Sequence, residues 1–255
     1  MITLVTGFRL QLAIVRRAPL EGIALVTTPL LTIVFSSIGA NAGQSSFLIS
    51  AIIGSGLIGL WVLTVNQVGD IVSSERWSGN LELFVASPSS LAVLVLGRIC
   101  AVIAMGSFAF VESYVTGTVF FGVHLVIRHP LVFVLAFVAN LAAVAGTACL
   151  LTPLFVLTRN TTLYQSTLTY PFYIFGAVLF PASVLPYWLR PVTHFVFLSW
   201  GAQLLRDATQ AAPVTDAAQR LLILLGLGAA AAVVGYACTG AVVRRIKTQG
   251  TVNQA

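Results

Sequence analysis

Three histidines, three cysteines and seven carboxylates are all the acid–base, nucleophilic and metal-ligating chemistry in this chain of 255 residues. Their spacing assembles none of it into a catalytic set. There is no His-Glu-x-x-His, no Gly-x-Ser-x-Gly and no pair of carboxylates within an apolar stretch, so a hydrolase has little to be built from. Cys100, Cys149 and Cys238 are odd in number, lack CxxC spacing and fall inside apolar runs, which marks them as small packing residues and not as disulfide or metal partners. A phosphate-binding loop needs a lysine directly after glycine, and the single lysine, Lys247, follows Ile246. If ATP drives this protein, another polypeptide must hydrolyse it.

Two features remain that could do work. The first is Asp70 to Ser90, where Asp70, Glu75, Arg76 and Glu82 gather in a neighbourhood otherwise free of charge. Glu75, Gly79 and Glu82 follow an i, i+4, i+7 spacing, and Trp77, Leu81 and Phe84 repeat it two residues later, so a helix would carry the two sets on roughly opposite faces. The spacing predicts a short two-faced helix over Asp70 to Phe84. Pro88 disfavours helix at Ser87, and Ser89 or Ser90 can cap whatever follows. Lying between apolar spans, such a charged helix is expected outside the lipid, where it can touch a soluble partner. The second feature is Glu112, a lone carboxylate deep in an apolar stretch, with Thr116 one turn on as a local partner. An intramembrane carboxylate is costly unless protonated, hydrogen-bonded or facing a wet cavity.

Composition sets the elements that position these groups. The chain is 58% hydrophobic and 8% charged, against about 25% charged residues in a soluble domain. Uncharged runs cover 22–69, 129–158, 160–189 and 221–243, and a membrane span takes about 20 apolar residues. The expected fold is an all-α polytopic membrane protein forming a single transmembrane domain over 1–255. Residues 1–18 read as an interfacial amphipathic helix, because Leu4, Val5, Phe8, Leu12 and Val15 recur at helical spacing beside Arg9, Arg16 and Arg17. A signal peptide is the rival reading of this start. Six spans are expected, near Gly22–Ile38, Phe47–Gly69, from Arg98 to about Val123, Leu131–Leu157 with Pro153 kinking its end, Leu163–Phe180, and Leu221–Val243. Residues 70–90 form the segment between spans 2 and 3. Residues 181–220, with four prolines, are too broken to cross as one helix and read as an external re-entrant hairpin between spans 5 and 6, shielded by protein. A basic tail, 244–255, follows.

Arginines and the lysine orient this arrangement. With both termini on one side, that side receives nine of the 13 basic residues and the other receives Arg128, Arg190, Arg206 and Arg220. The rule of positive inner loops then places both termini in the cytoplasm and the chain in the cell (inner or plasma) membrane. Topology accounts for the net charge of +6, and nucleic acid is not needed to explain it.

Glu75-Arg76, Gly79-Asn80-Leu81-Glu82, Ser87-Pro88 and Leu96-Gly97-Arg98 together resemble the pattern of type-2 ABC exporter permeases, the membrane subunits of drug, lipid and polysaccharide exporters. The family usually shows Gly-Thr-Leu-Glu, so Asn80 is a departure. Tyr170-Pro171, Phe180-Pro181, Leu185-Pro186, Trp188-Leu189 and Leu205-Arg206 are similar to the family's fifth span and external hairpin. The resemblance implies a non-catalytic transport subunit without its own cofactor, paired with a second permease, identical or not, and with two ATPase subunits that bind ATP and magnesium. It also implies that Asp70 to Phe84 is a coupling helix. Glu75, Arg76 and Glu82 would make its polar contacts to the ATPase, and Trp77, Leu81 and Phe84 would pack against the membrane domain or the ATPase cleft.

Membrane lipids surround such a chain, and Phe172, Tyr173, Phe175, Tyr187, Trp188, Phe195, Phe197 and Trp200 read either as an interfacial belt or as contacts for an amphiphilic cargo. Two other classes stand beside the exporter. An ion-coupled secondary transporter would use Glu112, with Glu112 and Thr116 on its pathway, and a membrane scaffold would transport nothing. The six-span orientation predicts that a cysteine at Asn253 is labelled only after permeabilisation, whereas one at Ala211 is labelled from outside. Labelling of both in intact cells overturns it.

Overall fold

The computed structural model describes residues 2–17, 23–41, 43, 45–77, 91–158, 160–179 and 185–249. The described residues form helices and connections only, without strands. Helix α1 (Ile2–Arg17) and α2 (Ile23–Asn41) precede the long α3 (Ser45–Trp77). After residues 78–90 come α4 (Leu91–Gly106), α5 (Phe108–Phe121) and α6 (Pro130–Leu157). Then follow α7 (Thr161–Phe175), a single turn α8 (Arg190–Thr193), α9 (Phe197–Asp207) and α10 (Ala217–Gln249).

Helix α3 is the axis. It packs against α2, α4, α5, α6, α7 and α9, and every residue from Ala51 to Trp61 is buried. A helix surrounded on all sides must be apolar all round, as its sequence is, and must let neighbours come close. Glycine supplies that approach: a Cβ at Gly54 would stand 2.9 Å from the Val178 carbonyl oxygen, and one at Gly69 would strike the Gln165 amide. At mid-height, Trp61 stacks on Phe172 of α7, centroids 4.4 Å apart, and meets Phe197 of α9 edge-on at 5.7 Å. Three elements are thereby locked at one residue.

Four helical stretches are long and apolar enough to cross a membrane: Phe47–Ser74, Leu96–Phe121, Pro130–Leu157 and Ala217–Val242. They correspond to the expected spans 2, 3, 4 and 6. The third is interrupted. Ser107 separates α4 from α5, its amide donating to the Ile103 carbonyl at 2.9 Å and its hydroxyl to the Ala104 carbonyl at 2.6 Å. Pro153 lies inside α6, which continues to Leu157. The expected spans 1 and 5 are shorter helices. Helix α7 has 15 residues, about 22 Å at 1.5 Å per residue against a hydrocarbon core of about 30 Å. It stops at Phe175, short of the expected Phe180, because the chain turns at Gly176 and at Ala177, whose φ is +46°. Part of the broken segment 181–220 folds as α8 and α9, and α9 tucks its buried Phe197, Leu198, Ala202, Leu204 and Leu205 against α3, α6, α7 and α10.

The N-terminal helix does more than rest on a surface. It lies along α4, where Gly97 admits the carbonyl of Leu4, and its Gln11 is buried. Helix α10 packs along α6 through Gly228, set against Ala143 and Gly146, and Gly235, set against the backbone of Cys149 and Leu150. Ala231, Gly235 and Thr239 recur at four-residue spacing on α10, and the close approach at Gly235 is taken by a helix of the same chain. Gly235→Leu would drive a side chain into that backbone, and overpacking of this kind costs about 1–3 kcal/mol. Lower thermal stability of the purified protein and lower yield are expected; an unchanged unfolding midpoint would show that the crossing is not tight.

Candidate functional site

The charged segment begins as a continuation of α3 and not as a separate helix. No proline interrupts the run from Asn66 to Trp77, and charge alone does not stop a helix, so the turns carrying Asp70 and Arg76 extend the axis beyond its apolar part. Glu75 and Trp77 belong to this end, but their side chains, with Gly79, Leu81, Glu82 and Phe84, lie outside the described residues. What the structure places is the stripe Asn66, Asp70, Ser73 and Arg76, at three- and four-residue spacing and therefore on one face.

That face grips the junction of α6 and α7. The Gln165 side-chain amide of α7 donates to the Asn66 carbonyl at 2.9 Å and to Asp70 Oδ1 at 3.2 Å. Ser73 Oγ and Thr161 Oγ1 share a hydrogen bond of 2.6 Å. The Arg76 guanidinium forks across two carbonyls at the end of α6, Val156 at 2.6 Å and Thr158 at 2.7 Å. These are carbonyls that a terminating helix cannot satisfy by itself, and a cation there also meets the negative end of the helix dipole. Asn160 completes the junction by capping α7, its Oδ1 accepting from the Leu163 amide at 3.2 Å. Arg76, expected to make polar contacts to a soluble partner, here donates to two carbonyls of its own chain.

A second network holds an adjoining side of the same end. Gln11 of α1 donates to Gln67 Oε1 of α3 at 3.1 Å and accepts from Arg98 Nε of α4 at 2.9 Å. All three side chains are buried. The sequence alone places Arg98 at the start of a span and leaves both glutamines unmarked, although a glutamine inside an apolar helical face is itself a signal that a polar partner is near. Together the two networks clamp the end of α3 to α1, α4, α6 and α7.

Arg206 performs the work of Arg76 elsewhere in the fold. Buried in α9, it donates to the carbonyls of Ala177 at 3.2 Å and Val178 at 3.0 Å, just past the end of α7. Nearby, Asp207 pairs with Arg220 at 2.6 Å and joins α9 to the start of α10.

Glu112 sits half-buried on α5, and its Oε2 is buried without a hydrogen-bond partner, so the expected bond from Thr116 to that atom does not form. The adjacent Ser113 belongs to a polar seam between α2, α3 and α5. It donates to the Ile52 carbonyl at 2.7 Å and pairs with Thr32 at 2.9 Å, with Thr28 and Ser36 one turn to either side on α2. The expected aromatic set divides. Phe172 stacks on Trp61 and the buried Phe197 meets it edge-on, whereas Tyr187, Trp188 and Phe195 are exposed. Helix α7 exposes a mixed face, with Thr162, Ser166 and Tyr170 in one stripe beside Leu163, Thr167 and Ile174.

Residues 5–209 match the family model for the ABC-2 type transporter. No curated protein matches the chain. The match covers well over half of the sequence, and the chain belongs to the ABC-2 type transporter family: it is a multi-pass membrane protein and a permease subunit, a part of the transporter that does not itself catalyse.

Arg76→Ala leaves the Val156 and Thr158 carbonyls without their donor. Hydrogen bonds to charged groups are worth about 1.5–3 kcal/mol, and a fall of that order in unfolding free energy is expected, read as a lower thermal midpoint in detergent. Arg76→Lys keeps the charge at the helix end but not the fork, and should recover part of the loss. An unaltered midpoint for Arg76→Ala would return this residue to the docking surface.

Proposed function

We propose that this permease subunit is the membrane half of an ATP-driven exporter that moves an amphiphilic, drug-like or lipid-linked substrate out of the cytoplasm. In this reading two permeases, identical or not, enclose the pathway. Two copies of a separate ATPase bind ATP and magnesium and dock on residues 70–90 at the cytoplasmic surface. Both termini are cytoplasmic, α2 and α7 complete six crossings with the four long spans, and α8 with α9 is the re-entrant hairpin on the outer side. Glu75 and Glu82 supply polar contacts to the ATPase, and Trp77, Leu81 and Phe84 pack beside them.

The observation that carries the reading is the grip of the charged end of α3 on the start of α7 through Asp70, Ser73, Gln165 and Thr161. A displacement imposed on residues 78–90 reaches α3 directly, and through these hydrogen bonds it reaches α7. Helix α7 presents hydroxyls and apolar side chains on the same exposed face. Hydroxyls do not favour bare lipid, so a second subunit or a pathway suits that face. A surface alternately apolar and hydroxylated also suits an amphiphile. Arg76 acts in this scheme by fastening the end of α6, so that the junction moves as a unit.

The unpartnered carboxylate oxygen of Glu112 favours one second reading, an ion-coupled transporter in which Glu112 and Thr116 line the path. Two variants separate the readings. Glu82→Lys reverses a charge at a docking contact, where breaking a buried charge pair costs about 2–5 kcal/mol; tenfold in affinity corresponds to about 1.4 kcal/mol. The exporter reading expects Glu82→Lys to reach the membrane in normal amount yet lose its ATPase in pull-down and lose export, while Glu112→Gln transports normally. The reverse pattern, with Glu82→Lys active and Glu112→Gln folded but inactive, selects the ion-coupled transporter.

A further inference from the structure

We propose that the cleft between α3, α5 and α6 holds one acyl chain of an anionic phospholipid as a resident lipid, at a site distinct from any cargo route along α7. The cleft has a volume of about 450 Å³ and is walled by Ile52 and Ile53 of α3, Phe110 of α5, and Phe133 and Phe137 of α6. Phe110 and Phe137 meet edge to face at 4.8 Å and form a rigid back wall. Ser107 and Tyr114 contribute the side-chain polar atoms of the lining, and the Ser107 hydroxyl is already donating to Ala104. A buried water needs two to four polar partners, so the cleft suits hydrocarbon and not water.

The mouth and the length identify the hydrocarbon. Val111 and Tyr114 at the rim are 56% and 39% exposed, on a helix that also exposes Phe108, Val115 and Val119. In a membrane span such a face meets lipid, so the medium that reaches the mouth is the bilayer itself. The lining runs from Leu125 and Ile127, on the loop after α5, to Ser107 at the break before it. Helix α5 has 14 residues and a length of about 21 Å, enough to exceed one leaflet's share, about 15 Å, of a hydrocarbon core of about 30 Å. A chain hanging from the headgroup level would lie in the cleft to the midplane.

The headgroup follows from the loop. Arg128, next to the lining residue Ile127, is exposed, as is His124. The loop is pinned where it stands, because the amides of Arg128 and His129 both donate to the Ala208 carbonyl, at 3.1 and 3.0 Å. An exposed cation on this pinned loop, next in sequence to a lining residue of the cleft, complements a lipid phosphate and favours a headgroup with net negative charge.

The test uses the full chain in nanodiscs containing phosphatidylglycerol or phosphatidylcholine with a photoactivatable diazirine in mid-chain, and maps the crosslinks by proteolysis and mass spectrometry. Leu222 and Val233, exposed on α10, report ordinary lipid contact. The site predicts several-fold more crosslinking at Phe110, Phe133 and Phe137 than at these two, and more with phosphatidylglycerol than with phosphatidylcholine. Val111→Trp, which fills the mouth from the lipid side, should bring the excess down to the α10 level. Arg128→Gln should leave the crosslinked residues unchanged and erase the difference between the lipids. Equal labelling of cleft and α10, an excess that survives Val111→Trp, or a native protein indifferent to headgroup would each overturn the proposal.

Discussion

Everything in this fold is arranged around a helix that has no outside. Over Ala51 to Trp61, α3 is buried on every face, and it meets six other helices along its length. In a membrane there is no hydrophobic gain from moving apolar side chains out of lipid and into protein, so association must come from close packing and from hydrogen bonds between helices. Glycines at 54, 56, 59 and 69 answer the first need, each admitting a different neighbour. The stripe Asn66 to Arg76 and the buried Gln67–Gln11–Arg98 chain answer the second. Trp61, between Phe172 and Phe197, shows the same demand in the middle of the helix, where an aromatic side chain fills the space that glycine leaves open elsewhere.

Two arginines solve a related problem at helix ends. Where a helix ends inside a packed bundle, its last carbonyls must find donors. Arg76 supplies them to the end of α6, and Arg206 supplies them to the turn after α7. Because both forks come from other elements, each end is held by tertiary structure as well as by local hydrogen bonds, Thr158 Oγ1 to the Phe155 carbonyl on α6 and the Gly176 amide to the Phe172 carbonyl on α7. The arginines counted for orientation are therefore of two kinds, and those with structural duties on both sides can be set aside without reversing the asymmetry. The mechanical consequence is that the charged end of α3, the end of α6 and the start of α7 form one joint.

Much of the architecture was legible in the chain itself. Apolar runs bounded by charge mark where helices must form, because only a helix satisfies its own backbone in lipid, and α3, α6 and α10 coincide closely with the expected spans. The charged cluster at Asp70 to Glu82 stood out for the same reason, being expensive anywhere except beyond the lipid. The ABC-2 family pattern, spread over short motifs in fixed order, was legible as well. The break at Ser107 was not, since the Gly106 before it looks no different in sequence from Gly54, Gly56 and Gly59, through which α3 runs on unbroken, and the early end of α7 rests on a turn that Arg206, about thirty residues away in sequence, holds in place.

What the sequence by itself determined is the set of helices, their apolar faces and the few polar groups that must avoid lipid. Partnership was decided only in three dimensions. Arg76 finds its carbonyls 80 and 82 residues later, Gln11 meets Arg98 across 87 residues, and Gln165 reaches back 95 residues to Asp70. Hydrogen bonds act over about 3 Å, whereas periodicity reports only which face of a helix is polar. Which donor a buried acceptor receives depends on how the helices cross, and that is settled by the packing of the whole bundle around α3.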